Sequence, residues 1–310
     1  MRPADIYGAL FDPQVRKLIT HVLRLYRKSG PSLRNENLKH VRRMAKSIRL
    51  SADELRTLGC DPGILYAGIL ISDVGKEHHL IQKYLSDYSC NSFKAFLDHS
   101  RISMREVNEI RKELGISNLV WRKILSSIIG HDGPSIYGSW WKTHYEREFG
   151  KKYAALHSRE ALIHCYLDRM DQGGIFKGRN GQLNGGLRKI SYDIFTHGKL
   201  RGNLSAVIQE VFGSARMGTC NQIDHLDQVV KPEVFGNTAL PLFLRELRKR
   251  FDEAEKYFEH VLMDDTRQER RVRIILNSGE TIEVNTLDEF WKTLSLVSPQ
   301  SPLAAQCRIS

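Results

Sequence analysis

The chain has 310 residues and a formal net charge of +11, from 47 Lys+Arg against 36 Asp+Glu. With 41% hydrophobic and 27% charged residues, its composition is that of an ordinary globular protein, which excludes disordered, collagen-like and coiled-coil classes. The best apolar run, Gly63 to Ile71, falls far short of the roughly 20 residues that span a bilayer, and Asp5 and Asp12 flank the only mildly apolar N-terminal stretch, so neither a membrane span nor a secretory signal is expected.

Residues 11 to about 172 read as helix after helix. Val15, Ile19, Val22, Leu23 and Tyr26 recur at helical spacing, as do Met104, Val107, Ile110 and Leu114. Ser51 with Glu54, and Ser103 with Glu106, have capping-box spacing and predict helix starts. Pro62-Gly63 and Gly115 punctuate neighbouring helices, and no strand-like alternation interrupts the stretch. Residues 1–172 are therefore expected to form a helical bundle.

Between Gly173 and Gly202 the texture changes. Glycines recur, and Lys177, Arg179, Arg188, Lys189, Lys199 and Arg201 face only one acid, Asp193. Such a loop can bring backbone N–H groups and cations close to phosphate oxygens, with Arg179, Arg188 and Lys189 as candidate phosphate contacts. It lacks the P-loop pattern. A plain solvated loop has the same composition, and both readings stand.

Residues 203–265 are expected to be a helical extension. Pro241 opens its long helix, which runs to about Met263 on the period of Leu244, Leu247, Phe251, Ala254, Tyr257, Phe258 and Val261. In 266–297, Val272, Ile274 and Leu276, then Ile282 and Val284, flank Asn277-Ser278-Gly279 and predict a β-hairpin. Thr286 with Glu289 then opens a short helix. Residues 298–310, with two prolines and little apolar content, read as a disordered tail. The fold class is thus mainly α, with a small β-hairpin in a C-terminal extension.

A pI near 9.4 favours anionic partners: a phosphorylated small molecule first, nucleic acid second. The five scattered cysteines form no CxxC pair, which suits a reducing cytoplasm rather than a disulfide framework.

The helical half carries a spaced set of ligand-type residues: His40, Asp73, His99, His131 and Asp168. Each is expected late in a helix or just after one. Imidazoles and carboxylates delivered by several helices to one core are a usual way to hold a divalent metal. Single histidines on helices are more often structural, and the chain has 12.

These segments resemble the HD superfamily of metal-dependent phosphohydrolases. Ile71-Ser72-Asp73-Val74-Gly75-Lys76 is similar to its His-Asp-Ile-Gly-Lys element. Phe96-Leu97-Asp98-His99-Ser100 and Ile128-Ile129-Gly130-His131-Asp132-Gly133 are similar to its inner His segments, and Leu167-Asp168-Arg169-Met170-Asp171 to its closing Asp segment. The resemblance covers roughly residues 15–172. It implies an HD-type helical bundle and one or two divalent ions (Mn, Mg, Co or Fe), with His40, Asp73 and Asp168 at one and Asp73, His99 and His131 at the other. The doublet His of the family is Ser72 here, so the first site lacks a nitrogen donor that bridging water, Glu77 or His78 would have to replace.

The expected activity is hydrolysis of a nucleotide or other phosphate ester by metal-activated water, with Asp73, Lys76 and Asp132 as catalytic candidates. Lys76 would offer a cation to the phosphate. Asp132 is read either as a general acid or base or as a helix N-cap. Two rivals stand beside this: a degenerate module that binds a nucleotide or nucleic acid without catalysis, and a di-iron oxygenase, which Ser72 disfavours.

Overall fold

The computed structural model describes residues 12–28, 36–88, 98–131, 158–172, 191–192, 195–196, 200–210, 223–224, 226–235, 239–259, 262–265, 272–275 and 281–297. Asp132, Arg179, Arg188, Lys189, the Asn277-Ser278-Gly279 turn and the tail lie outside the described residues. Helices dominate, with one small sheet near the C-terminus. The chain divides into two compact units, Met1–Asp168 with His225–Phe243, and Arg169–Asp224 with Leu244–Ser310.

The first unit is built around α4 (Pro62–Ser72), whose sequence is apolar on all sides and whose residues are nearly all buried. A helix of that kind belongs in the middle of a bundle. Around it pack α1 (Pro13–Lys28), α2 (Glu36–Leu50), α6 (His99–Glu113) and α7 (Asn118–Gly130). Between α2 and α4 lies the short α3 (Ala52–Thr57), and α5 (His78–Asp87) follows α4. Leu65, Ile69, Leu70 and Ile71 are each fully buried. Each contributes about 1.5–3 kcal/mol through that burial.

Asp61 starts α4 by accepting hydrogen bonds from the N–H groups of Gly63 and Ile64, with Pro62 in the first turn where a missing N–H costs nothing. At Gly68 an added Cβ would collide with the Ser127 hydroxyl, so glycine lets α4 and α7 come close there. Helix α8 (Arg159–Gln172) buries every residue from Ala161 to Asp171. No helix is long and apolar enough to cross a membrane among the described residues.

Two helix starts differ from the sequence expectation. Ser51 occupies an N-cap position but makes no side-chain cap bond, and the Glu54 carboxylate instead accepts from the N–H groups of Leu242 and Phe243. Ser103 lies inside α6, which starts at His99, and its hydroxyl is held elsewhere. A distant acceptor or donor in the folded chain outcompeted the local box in both cases.

The second unit contains α9 (Leu204–Glu210) and a three-stranded antiparallel sheet of β1 (Leu262–Asp265), β2 (Val272–Ile275) and β3 (Thr281–Val284). The expected hairpin is β2–β3, in register Val272↔Val284. The third strand was not foreseen. The long helix, α11 (Leu242–Glu259), follows α10 (Lys231–Phe235) and ends before Met263, because Leu262–Asp265 pairs with β2 instead. The last helix, α12 (Leu287–Val297), opens on the predicted box: Glu289 N–H donates to the Thr286 hydroxyl, and the Glu289 carboxylate accepts from Asn285 N–H. Trp291 of α12 donates its indole N–H to Ser191 at 2.9 Å.

Candidate metal centre

The last turn of α4 is followed by a 3-10 turn, Val74–Lys76, and Asp73 stands between the two. Apolar burial of Ile69 to Ile71 fixes the end of α4 in the core, so the carboxylate that follows is buried as well, at 1% exposure. Ser103 on α6 clamps this corner. Its hydroxyl donates to the Ser72 carbonyl at 2.8 Å and accepts from Gly75 N–H at 2.7 Å, holding the backbone on both sides of Asp73. Gly75 itself lies against α6 so closely that a Cβ would collide with the His99 carbonyl.

Four cationic or potentially cationic groups surround the Asp73 carboxylate. Lys76 Nζ lies 2.7 Å from Oδ1, His99 Nε2 3.5 Å and His131 Nε2 3.7 Å from the same oxygen. His40 Nε2 lies 3.3 Å from Oδ2 and 3.0 Å from Asp168 Oδ1. All five ligand-type residues singled out in the sequence therefore meet at one place, together with Lys76. Their positions on the helices differ from expectation: His99 opens α6, and His40 lies early in α2. Asp73 and His131 do follow their helices directly.

Neither Asp73 oxygen accepts a well-formed hydrogen bond, although four groups stand within ion-pair distance. Burial pushes its carboxyl pKa up, but Lys76, His40, His99 and His131 outweigh that and hold it well below the usual carboxylate range. The group is thus a buried anion, held charged by the cations around it with Lys76 nearest.

The imidazoles are set to match. His131 Nδ1 contacts the Ile128 carbonyl, which can only accept, so Nδ1 carries the proton and Nε2 turns its lone pair toward Asp73. The His99 and His131 Nε2 atoms are 3.2 Å apart. The ligand atoms of Asp73, His99 and His131 all lie within 4.8 Å of one another, and all three residues are buried. This group can hold a metal ion. A ring N–H anchored on a carbonyl is the usual support of a metal-binding histidine. A buried carboxylate beside converging imidazole nitrogens is a donor set that suits such an ion.

Ser72, at the position expected for a further histidine, donates its hydroxyl to the Ile69 carbonyl at 2.9 Å and is fully buried. His78 is exposed beside Gln82 and does not fill the gap. Glu77 is buried and accepts from Asn37 of α2. His40 and Lys76, with 13% and 15% of their side chains exposed, are the members of the cluster that reach toward solvent.

His164 was not singled out in the sequence. It lies on α8 one turn before Asp168, fully buried, and its Nδ1 contacts the Ser127 carbonyl at 2.9 Å. Its ring stacks on His131 with centroids 5.0 Å apart and planes 17° from parallel. Burial, then the neighbouring His131, pushes its pKa down to about 3, so the ring is neutral. The signal that could have found it is the spacing His164-x3-Asp168, which puts both side chains on one helix face. Tyr26 of α1, also unforeseen, backs the site with its hydroxyl donating to the Leu70 carbonyl at 2.9 Å.

Compared with known proteins, the chain matches no family model, no curated protein and no solved structure.

Proposed function

We propose that the chain is a divalent-metal-dependent hydrolase of phosphate esters, a divergent relative of the HD phosphohydrolases that its ligand segments resemble. The observation that carries this is the buried Asp73 carboxylate, without a well-formed hydrogen bond and faced by the Nε2 atoms of two histidines from two other helices. A divalent cation held there supplies a Lewis acid for a phosphoryl oxygen and lowers the pKa of adjacent water. Mixed nitrogen and oxygen donors suit Mn, Fe, Co or Zn better than Mg.

The chain's own residues divide the remaining work. His131 is fixed in the tautomer that leaves Nε2 free to coordinate, its Nδ1–H donating to the Ile128 carbonyl. His40 links Asp73 to Asp168 and keeps the two carboxylates from repelling each other across the site. Lys76, partly exposed, is the cation best placed to meet an incoming phosphate on the open side. The net charge of +11 favours an anionic substrate, with a nucleotide as the leading class.

One observation favours a second reading, a module that binds a nucleotide or nucleic acid without catalysis. The Ser72 hydroxyl is committed to Ile69, so α4 gives no nitrogen to the His40–Asp168 side. A turnover screen separates the two. Purified chain is offered nucleotides and a diester such as bis(p-nitrophenyl) phosphate, with Mn, Co, Fe or Mg added singly. Metal-dependent release of phosphate or nitrophenol that disappears in Asp73→Asn supports the hydrolase. Saturable binding of nucleotide without turnover under every metal supports the module.

A further inference from the structure

We propose that His164 is an additional nitrogen ligand of this centre, serving a divalent cation on the side where His40 meets Asp168. The proposal rests on the metal reading above and deepens it. His164 Nε2 is buried and has no hydrogen-bond partner. An acceptor left dry in this way loses its hydration without compensation, so native chains hold few of them and each calls for a partner. Its Nδ1 lies 2.9 Å from the Ser127 carbonyl and 3.1 Å from the Ser127 hydroxyl; the carbonyl can only accept, so Nδ1 carries the proton and Nε2 is the lone-pair nitrogen.

His131, already in the metal-binding group, is anchored in the same manner on the next carbonyl of α7, that of Ile128. The two rings are nearly parallel. Each ring is thus oriented by a backbone carbonyl of α7 on its Nδ1, the usual support of a ligating imidazole. Helix geometry puts His164 on the same face of α8 as Asp168, whose Oδ1 meets His40 at 3.0 Å. That side otherwise has a single imidazole and two carboxylates, because the Ser72 hydroxyl is turned back to Ile69. In this arrangement the missing nitrogen comes from α8 rather than α4.

The test uses the full chain, stripped of metal and titrated with Co²⁺ alone by calorimetry and visible absorption. Its variants are His164→Asn and His99→Ala. The Asn amide can keep the donor to the Ser127 carbonyl but offers no lone pair where Nε2 stood. Wild type is expected to take up an ion on each side. His164→Asn should lose the ion on the Asp168 side, or bind it at least about tenfold more weakly, and keep the other. His99→Ala should show the reverse pattern. Cobalt uptake and affinity in His164→Asn equal to wild type overturns the proposal while leaving the Asp73–His99–His131 site intact. A wild-type chain that takes up no cobalt overturns the metal reading itself. Should the Asn variant fail to fold, the wild-type chain decides. Ligation predicts a hyperfine-shifted proton from the His164 ring N–H on cobalt binding, and its absence contradicts the proposal.

Discussion

The Nε2 atoms of His99 and His131 face each other at 3.2 Å beside the Asp73 carboxylate. Their parent helices, α6 and α7, have no local reason to bring two imidazoles nose to nose. With the His131 Nδ1–H donating to the Ile128 carbonyl, its Nε2 can only accept, so His99 either donates to it or shares a cation with it. A cation satisfies both rings and Asp73 Oδ1 at once, which a single proton does not.

The corner that carries Asp73 depends on Ser103. Replacing it by Ala leaves the buried Ser72 carbonyl and the Gly75 N–H each without the partner that holds it now. Ser103→Ala is expected to lower stability by about 1–3 kcal/mol and to weaken cation binding, since Asp73 lies between the two freed groups. Denaturant unfolding and a Mn²⁺ titration of the same variant check it. Unchanged values in both would remove the clamp from the account.

Gly75 is where the turn and α6 meet most tightly. A Cβ there collides with the His99 carbonyl and lies 2.8 Å from both the N–H nitrogen and the hydroxyl of Ser103. Two of those three atoms are backbone, so α6 itself must move. Gly75→Ala should cost about 1–3 kcal/mol or more. It should also displace His99 and reduce metal uptake, whereas the same change at Gly202, strained by its φ of +73° but with nothing within 4 Å of the added Cβ, should cost stability and leave uptake alone.

How much of this was legible beforehand follows from what each residue answers to. The apolar period of α1 and the wholly apolar α4 are set by local burial, and the β2–β3 alternation matches its strand pairing, so their pattern gave them away. The five ligand-type residues were found by type and order, and they meet because their helices pack around α4. What stayed hidden was decided across the fold. Ser103 looked like a cap and is a clamp on Ser72 and Gly75. Glu54 looked like a capping partner of Ser51 and serves Leu242. Strand β1 was masked by a helical period that continues into it, and only pairing with β2 distinguishes the two. His164 needed the third dimension, because its stacking on His131 joins residues 33 positions apart through the meeting of α7 and α8.

His164 also predicts a pH dependence in chain freed of metal. Its folded pKa is pushed down to about 3 from an ordinary 6.5, mainly by burial. The unfolded chain therefore binds a proton that the folded chain refuses between those values. Stability from this group is full above about pH 6.5 and falls as pH drops toward 3, with a slope approaching about 1.4 kcal/mol per pH unit. Unfolding curves in EDTA from about pH 7.5 to 5 should steepen in this way for wild type. His164→Asn should be flatter over that window, and parallel curves would argue against a buried neutral ring.

Lys76 occupies the same carboxylate oxygen that His99 and His131 face. An entering cation must therefore compete with its ammonium. Lys76→Met should raise cation affinity on the order of tenfold, the effect of removing one nearby like charge. Turnover of a phosphate ester should fall at the same time, because the cation offered to the phosphate is gone. Affinity and rate moving together in one direction would assign Lys76 to only one of these tasks.

The central claim is that Asp73, His99 and His131 hold a divalent cation, and cobalt uptake by the stripped full chain tests it most directly. Co²⁺ is titrated into wild type and into Asp73→Asn near neutral pH, with absorption followed in the visible. The account predicts saturable binding with a nitrogen-ligand spectrum, lost in Asp73→Asn. Cobalt uptake that is absent in wild type, or equal in the two proteins, would contradict it.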